Sequence, residues 1–454
     1  MIPREFLWGV SSAAFQVEGA VHADGRGRSI WDTFCAEPGR IRNGENADVA
    51  ADHYHRYRED VALMRELGVD AYRFSISWPR VQPTGSGAVN VAGLDFYDRL
   101  VDELLAAGIK PVVTLYHWDL PQDLQDAGGW QSRDTASRLA DYATLVAKRL
   151  ADRVHLWMPL NEPVVVTMFG HAVGKHAPGL ELGFGALPVA HHLLLAHGLA
   201  VRALRAEGAR GIGIASNHAP TWPASQDPAD IEAAENYDTL VNWLFADPVL
   251  RGEYPDPLLA AAMPGPVEDD LRVIAEPVDF FGINYYQPTL VGAANPDGEE
   301  SSALEGAQLP PGLPFAPREL TGYPTTDFGW SIVPDGLRQI LTTFRSRYGR
   351  QLPPIYITES GCSFHDVVDS DGRVHDQRRA DYHRAHIDAV DKAISEGVDV
   401  RGYFIWSITD NFEWAEGYTE RFGLVHVDYA TQRRTPKDSY FWYRDFIRQH
   451  RASS

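Results

Sequence analysis

Two glutamates, Glu162 and Glu359, stand 197 residues apart in matching contexts. Each closes an apolar run. Residues 154–160 lead into Asn161-Glu162-Pro163, and residues 354–358 lead into Glu359-Ser360-Gly361. A proline after one and a turn glycine after the other stop a strand, because proline lacks the ladder N–H and fixes the backbone. Two carboxyl groups on strand ends are equipment for splitting a glycosidic bond. One donates a proton to the leaving oxygen while the other, ionised, attacks. The two environments must differ for the protonation states to differ. Arg73 is the candidate cation for holding one glutamate ionised, since a nearby positive charge lowers a carboxyl pKa; burial and a negative neighbour raise the other.

The rest of the chain reads as the frame for this pair. Short apolar runs at residues 7–16, 70–77, 110–118, 154–160, 211–216, 277–286, 355–359 and 400–408 alternate with helical stretches. The helical reading rests on spacing, as with Tyr57, Val61, Met64 and Leu67 on one face of residues 54–67. Near-continuous apolar strands are those buried on both faces of a parallel sheet. Eight such units predict an α/β fold, a (β/α)₈ barrel over residues 1–454 with chemistry at the strand carboxyl ends. Residues 291–327, rich in Gly, Pro, Ser and Glu, are expected as a long loop over the mouth.

The predicted strand ends carry a consistent set: Gln16, Arg73, His117 with Trp118, Asn161 with Glu162, Asn284 with Tyr286, Glu359, and Trp406, the last running on to Glu413 and Trp414. Amides, imidazole and carboxylate pair with sugar hydroxyls. Aromatic faces stack on the apolar faces of pyranose rings.

Composition narrows the partners. At 44% hydrophobic and 23% charged, the chain is ordinary globular protein. A net charge of −21 repels nucleic acid and anionic lipid, so neither is expected as a partner. Two cysteines, Cys35 and Cys362, fit a reducing compartment rather than a disulfide scaffold. No leader-like apolar segment opens the sequence and no membrane span is read, so a cytoplasmic location is expected. His53-Tyr54-His55 and the pair His383 and His386 lack a third ligand by spacing, and no metal is expected. Cys362 is read as a buried filler.

Taken in order, Phe6-Leu7-Trp8-Gly9, Gln16 to Gly19, His117-Trp118, Asn161-Glu162-Pro163, Asn284-Tyr285-Tyr286, Ile357-Thr358-Glu359-Ser360-Gly361, the run Asp410 to Tyr418 and Arg421-Phe422-Gly423-Leu424 resemble the β-glucosidases of glycoside hydrolase family 1. The resemblance covers essentially the whole chain. It implies Glu162 as general acid/base and Glu359 as nucleophile, in a double displacement with retention and without a cofactor. A retaining pair is expected roughly 5–5.5 Å apart. It further implies that Arg73, Asn284 and Tyr286 orient and tune the nucleophile, and that Asn161 holds the sugar 2-hydroxyl. Gln16, His117, Trp118, Trp406, Glu413, Trp414 and Phe422 would bind the glycone, and Trp330 would flank the aglycone. The expected partner is a small β-glycoside.

Two positions depart from the family pattern. Ser360 replaces the usual asparagine after the nucleophile, and Val164 stands where many relatives carry tryptophan, on the leaving-group side. Glu413 speaks against phosphorylated sugars, because a carboxylate repels phosphate. β-Galactosidase, β-fucosidase or 6-phospho-β-glycosidase activity are the enzymatic alternatives. An inactive sugar-binding barrel is the non-enzymatic one.

Overall fold

The computed structural model describes residues 2–294, 303–304, 307–309 and 313–453. At its centre are eight parallel strands: β1 (Leu7–Ser11), β2 (Ala71–Ser75), β3 (Lys110–Tyr116), β4 (Leu156–Leu160), β5 (Ala215–Asn217), β6 (Phe281–Asn284), β7 (Ile355–Ser360) and β8 (Val400–Trp406). They pair in the order β4-β3-β2-β1-β8-β7-β6-β5. Bridges from Trp157 to Ile212 and from Asn161 to Ala215 join β4 to the region of β5 and close the ring. This is the expected (β/α)₈ barrel.

Helices cover the outside because their apolar faces have nowhere else to go. In Val91–Ala106, Leu94, Tyr97, Leu100, Val101 and Leu104 are buried at the three- and four-residue spacing of one helical stripe. Gly108, at φ +78°, supplies the left-handed turn that lets the chain leave this helix and enter β3. Inside the ring, Ala71, Val112, Leu156, Met158, Ala215, Phe280 and Phe404 form a separate apolar cluster. Each lies at least two residues short of its strand's carboxyl end. The cluster therefore plugs the barrel below the level where the polar strand ends emerge.

Three strand expectations need correction. The first run ends at Ser11, and Gln16 sits on a short helix, Ala14–Val17. Strand five is shorter than the expected 211–216: it spans Ala215–Asn217, starting four residues later and ending one residue later. Residues 291–327 are not wholly loop: Thr289–Ala293 pairs with Phe315–Arg318 and with Thr221–Pro223 in a three-stranded sheet. Part of that stretch, residues 295–302, 305–306 and 310–312, lies outside the described residues. A fourth finding concerns membranes. Gly183–Ala206 holds a stretch long and apolar enough to span one, which the sequence reading did not single out, but 72% of that stretch is buried inside the protein. It is a core helix: Leu193, Leu194, Ala196 and Val201 are fully buried.

Candidate active site

The carboxyl ends of the strands converge on one cavity of about 700 Å³, lined by Glu162 and Glu359 together with His117, Trp118, Tyr286, Trp330, Trp406, Glu413, Trp414 and Phe422. Arg73, Asn161, Asn284 and Gln16 stand behind this lining and are themselves buried.

Glu359 reaches the cavity through a break in strand geometry. Along β7, Ile355 and Ile357 pack outward into the main core while Tyr356 packs against the interior cluster. Strict alternation would then send Thr358 inward and Glu359 outward. The register of β7 against both β6 and β8 shifts between Ile357 and the residues after it. A bulge of this kind re-aims a side chain, and the Glu359 carboxylate meets Arg73 inside the barrel. Gly361 is required at the next turn, since a Cβ there would lie 2.0 Å from the Trp406 carbonyl oxygen. Glu162, Trp118 and Trp414 all hold positive φ, at +47°, +78° and +47°. Non-glycine residues in that region are strained, and such strain gathers at functional sites.

The two glutamates have unlike partners. Arg73 Nη1 lies 2.5 Å from Glu359 Oε1, and the Tyr286 hydroxyl donates to Glu359 Oε2 at 2.7 Å. Arg73 has further acceptors: Nη2 donates to Asn161 Oδ1 (2.6 Å), Nε to Thr114 Oγ1 (3.2 Å) and Nη1 also to the Thr358 carbonyl (3.1 Å). Glu162 Oε1 accepts from two neutral amides, Asn284 Nδ2 at 2.8 Å and Asn217 Nδ2 at 3.2 Å. Burial, then the charge of Glu359, push the Glu162 pKa up to about 8 against the smaller opposing effect of those amides. Glu162 is thus an acid that still carries its proton near neutral pH.

His117 and Gln16, two residues expected to bind the glycone, offer hydrogen-bonding atoms without a partner among the described residues. Asn161 Nδ2 lies 3.1 Å from His117 Nε2, which must accept if the amide donates. Nδ1 then carries the ring proton and has no partner among the described residues. Burial, and after it Arg73, hold the His117 pKa well below its usual value, so the ring is neutral. Gln16 directs its Nε2 to Asn411 Oδ1, the Phe412 carbonyl and Glu413 Oε2, and its Oε1 is left open. An unpaired donor and an unpaired acceptor at one buried surface cost free energy until filled, and sugar hydroxyls supply both. Two aromatic groups frame the space. His117 stacks with Trp406 and Trp414 at 5.8 and 5.9 Å, while Trp330 packs against Tyr286 and Phe422 at 5.0 and 5.9 Å.

Glu413 lies among carboxylates. Burial, then Glu420 and Glu359, raise its pKa well above the usual carboxyl range. Arg42 and Lys175, which line the cavity, face Glu416 at 3.3 and 3.8 Å. The histidines set aside as metal ligands have ordinary partners: His53 with Asp60 (2.7 Å), His383 with the Tyr403 hydroxyl (3.1 Å), His386 with the Tyr382 carbonyl (2.8 Å). Cys362 is fully buried, and burial pushes its thiol up to about 12. Ser360 is buried with its hydroxyl 3.5 Å from that of Tyr382.

The sequence reading missed Asn217 and Thr358. Asn217 could have been found, because it directly follows the expected fifth strand, as Asn161 follows the fourth. Thr358, whose hydroxyl donates to Asn284 Oδ1 at 2.6 Å, carried no signal of its own.

With this geometry in place, similarity to known proteins is informative. The family model for glycosyl hydrolase family 1 matches residues 1–452. Beta-glucosidase A of Thermotoga maritima is 47% identical over 453 residues, 99% of this chain and 98% of the relative. The bifunctional beta-D-glucosidase/beta-D-fucosidase of Bifidobacterium breve is 46% identical over 100% of this chain and 99% of its own. The solved family 1 β-glucosidase from Thermotoga maritima in complex with isofagomine lactam aligns with a TM-score of 0.92 at 46% identity, over 99% of this chain and 98% of that one.

Proposed function

The chain belongs to glycosyl hydrolase family 1, and from that premise we propose that it is an exo-acting β-glucosidase that works by double displacement with retention. It releases glucose from the non-reducing end of β-glucosides, short cello-oligosaccharides among them. The observation that carries this reading is the unequal setting of two buried glutamates in one cavity. One is paired with a guanidinium; the other is held by neutral amides and has a pKa raised to about 8.

Glu359 attacks the anomeric carbon, held in line by Arg73 and Tyr286. Glu162 passes its proton to the leaving oxygen and becomes an anion that Asn284 and Asn217 steady. The glycosyl–Glu359 ester removes the negative charge that raised Glu162, so the Glu162 pKa falls and the group stays ionised, the form that can take a proton from water as that water attacks. Asn161 binds the sugar 2-hydroxyl. Gln16, His117, Trp118, Trp406, Glu413, Trp414 and Phe422 bind the remainder of the glycone, and Trp330 flanks the aglycone.

The name of the Bifidobacterium relative supports a second activity, on β-fucosides, through the same residues. One experiment tests both: aryl β-glucoside, β-galactoside, β-fucoside and 6-phospho-β-glucoside compared side by side, with the first-formed sugar followed by proton NMR. The expected product is the β-anomer, with glucoside or fucoside turned over fastest. An initial α-anomer would exclude the double displacement, and a dominant phosphosugar rate would overturn the glucoside reading.

A further inference from the structure

A second cavity, of about 90 Å³, lies behind the wall of the catalytic one. Met168, Tyr237 and Val241 line both. Beyond them the described lining is apolar, with Leu240, Phe245 and Ala172 among its side chains. The Thr167 hydroxyl, also at this wall, is satisfied within its own helix by the Pro163 carbonyl at 2.8 Å. The Tyr237 ring sits edge-on to Phe315, with ring centres 5.4 Å apart. Phe184, an exposed side chain, also lines it, so the hollow opens toward solvent, and its apolar walls suit an apolar guest.

The partition between the cavities begins at the proton donor. The chain leaving Glu162 presents Val164, Val165 and Met168 to the catalytic cavity before Ala172 and Val173 reach the second one. The valines are small, and Met168 is unbranched and repacks at little cost. Whatever the leaving oxygen carries projects along this wall. We propose that the second cavity is an annex of the leaving-group side and takes the tail of a linear alkyl β-glucoside, with Met168 as the movable partition. This rests on Glu162 being the acid that protonates the leaving oxygen. Tail burial is the same in ground and transition state, so it lowers KM and leaves kcat alone.

The test is a series of n-alkyl β-glucosides from methyl to octyl, kept below self-association, with 4-nitrophenyl β-glucoside as reference. KM is expected to fall roughly fourfold per methylene over the carbons that pass Met168, at constant kcat. Ala172→Phe fills the annex from a position that does not line the catalytic cavity. It should flatten the series and leave the aryl glucoside rate unchanged; an unaltered slope in this variant overturns the annex. Leu240→Asp, which puts a charge into the same space, serves where Ala172→Phe does not fold. A flat wild-type series beside full aryl turnover overturns the annex alone. Failure to turn over any β-glycoside overturns the catalytic reading and the annex with it.

Discussion

Arg73 and Glu359 form an ion pair of 2.5 Å in which both side chains are buried, at 1% and 4% exposure. Glu162, in the same cavity, accepts from the amides of Asn284 and Asn217. Two residues of one type thereby become different reagents, and the difference can be probed from each side.

The acid side predicts a pH profile. On the proposed mechanism Glu162 acts when protonated, and burial beside Glu359 raises its pKa to about 8, so kcat/KM should decline as pH rises through that value. The Asn217 amide lowers this pKa by stabilising the anion. Asn217→Ala should therefore move the basic limb upward, while Asn217→Asp, adding a negative charge, should move it further still. A limb that stays in place in both variants would remove Asn217 from the acid's environment. Glu162→Gln, tested on an alkyl glucoside whose leaving group needs the proton, should cost about 10²–10⁴-fold in kcat/KM.

The nucleophile side predicts loss of chemistry. Glu359→Gly should abolish hydrolysis, and azide, entering the vacated space, should restore turnover with formation of the α-glycosyl azide. A variant that folds, binds substrate and is not rescued by azide would count against the nucleophile role.

Arg73 yields a prediction for catalysis and for stability. Removing it as Arg73→Met leaves the buried Glu359 with only the Tyr286 hydroxyl and Asn161 Oδ1 with only the Asn284 amide, a loss expected at about 3–5 kcal/mol from the broken pair. Arg73→Lys keeps the charge but forfeits the planar fork that serves Glu359, Asn161 and Thr114 together. Denaturant unfolding should rank wild type, Lys and Met in that order. In Lys, kcat should drop more than KM rises.

Glu413 predicts specificity. With its pKa raised by Glu420 and Glu359 beside it, the proposed discrimination against phosphate is assigned to the whole acidic surround rather than to Glu413 alone. Glu413→Ser should reduce kcat/KM on β-glucoside and narrow its lead over 6-phospho-β-glucoside without inverting it. Inversion by this single change would show that Glu413 carries the exclusion by itself.

Gly361→Ala tests the bulge. The added Cβ meets backbone, the Trp406 carbonyl, which cannot swing aside as a side chain could. The expected outcome is a fall in thermal stability together with a loss of activity from the displaced glycone wall, measured by calorimetry and by KM on aryl glucoside.

Much of this molecule was legible in one dimension. Apolar runs separated by helix-period stretches gave the barrel, because burial on both faces of a strand leaves a continuous apolar signature. Asn161-Glu162-Pro163 and Ile357-Thr358-Glu359-Ser360-Gly361 marked the strand ends, because a stop is written in proline and glycine. The resemblance of these motifs to a known family supplied the roles. Tertiary structure decided what depends on distance. The bulge that turns Glu359 inward runs against the alternation its own strand predicts. Asn217 meets Glu162 because β5 closes the ring against β4, a pairing between segments 55 residues apart in sequence. Burial raises the pKa of both carboxyls, and their partners decide the outcome: Glu162, beside Glu359, rises to about 8, while Asp410, held by Lys437 and Arg421, falls to about 2. Residue type names the chemistry available to a carboxyl group; only its neighbours in space determine which chemistry it performs.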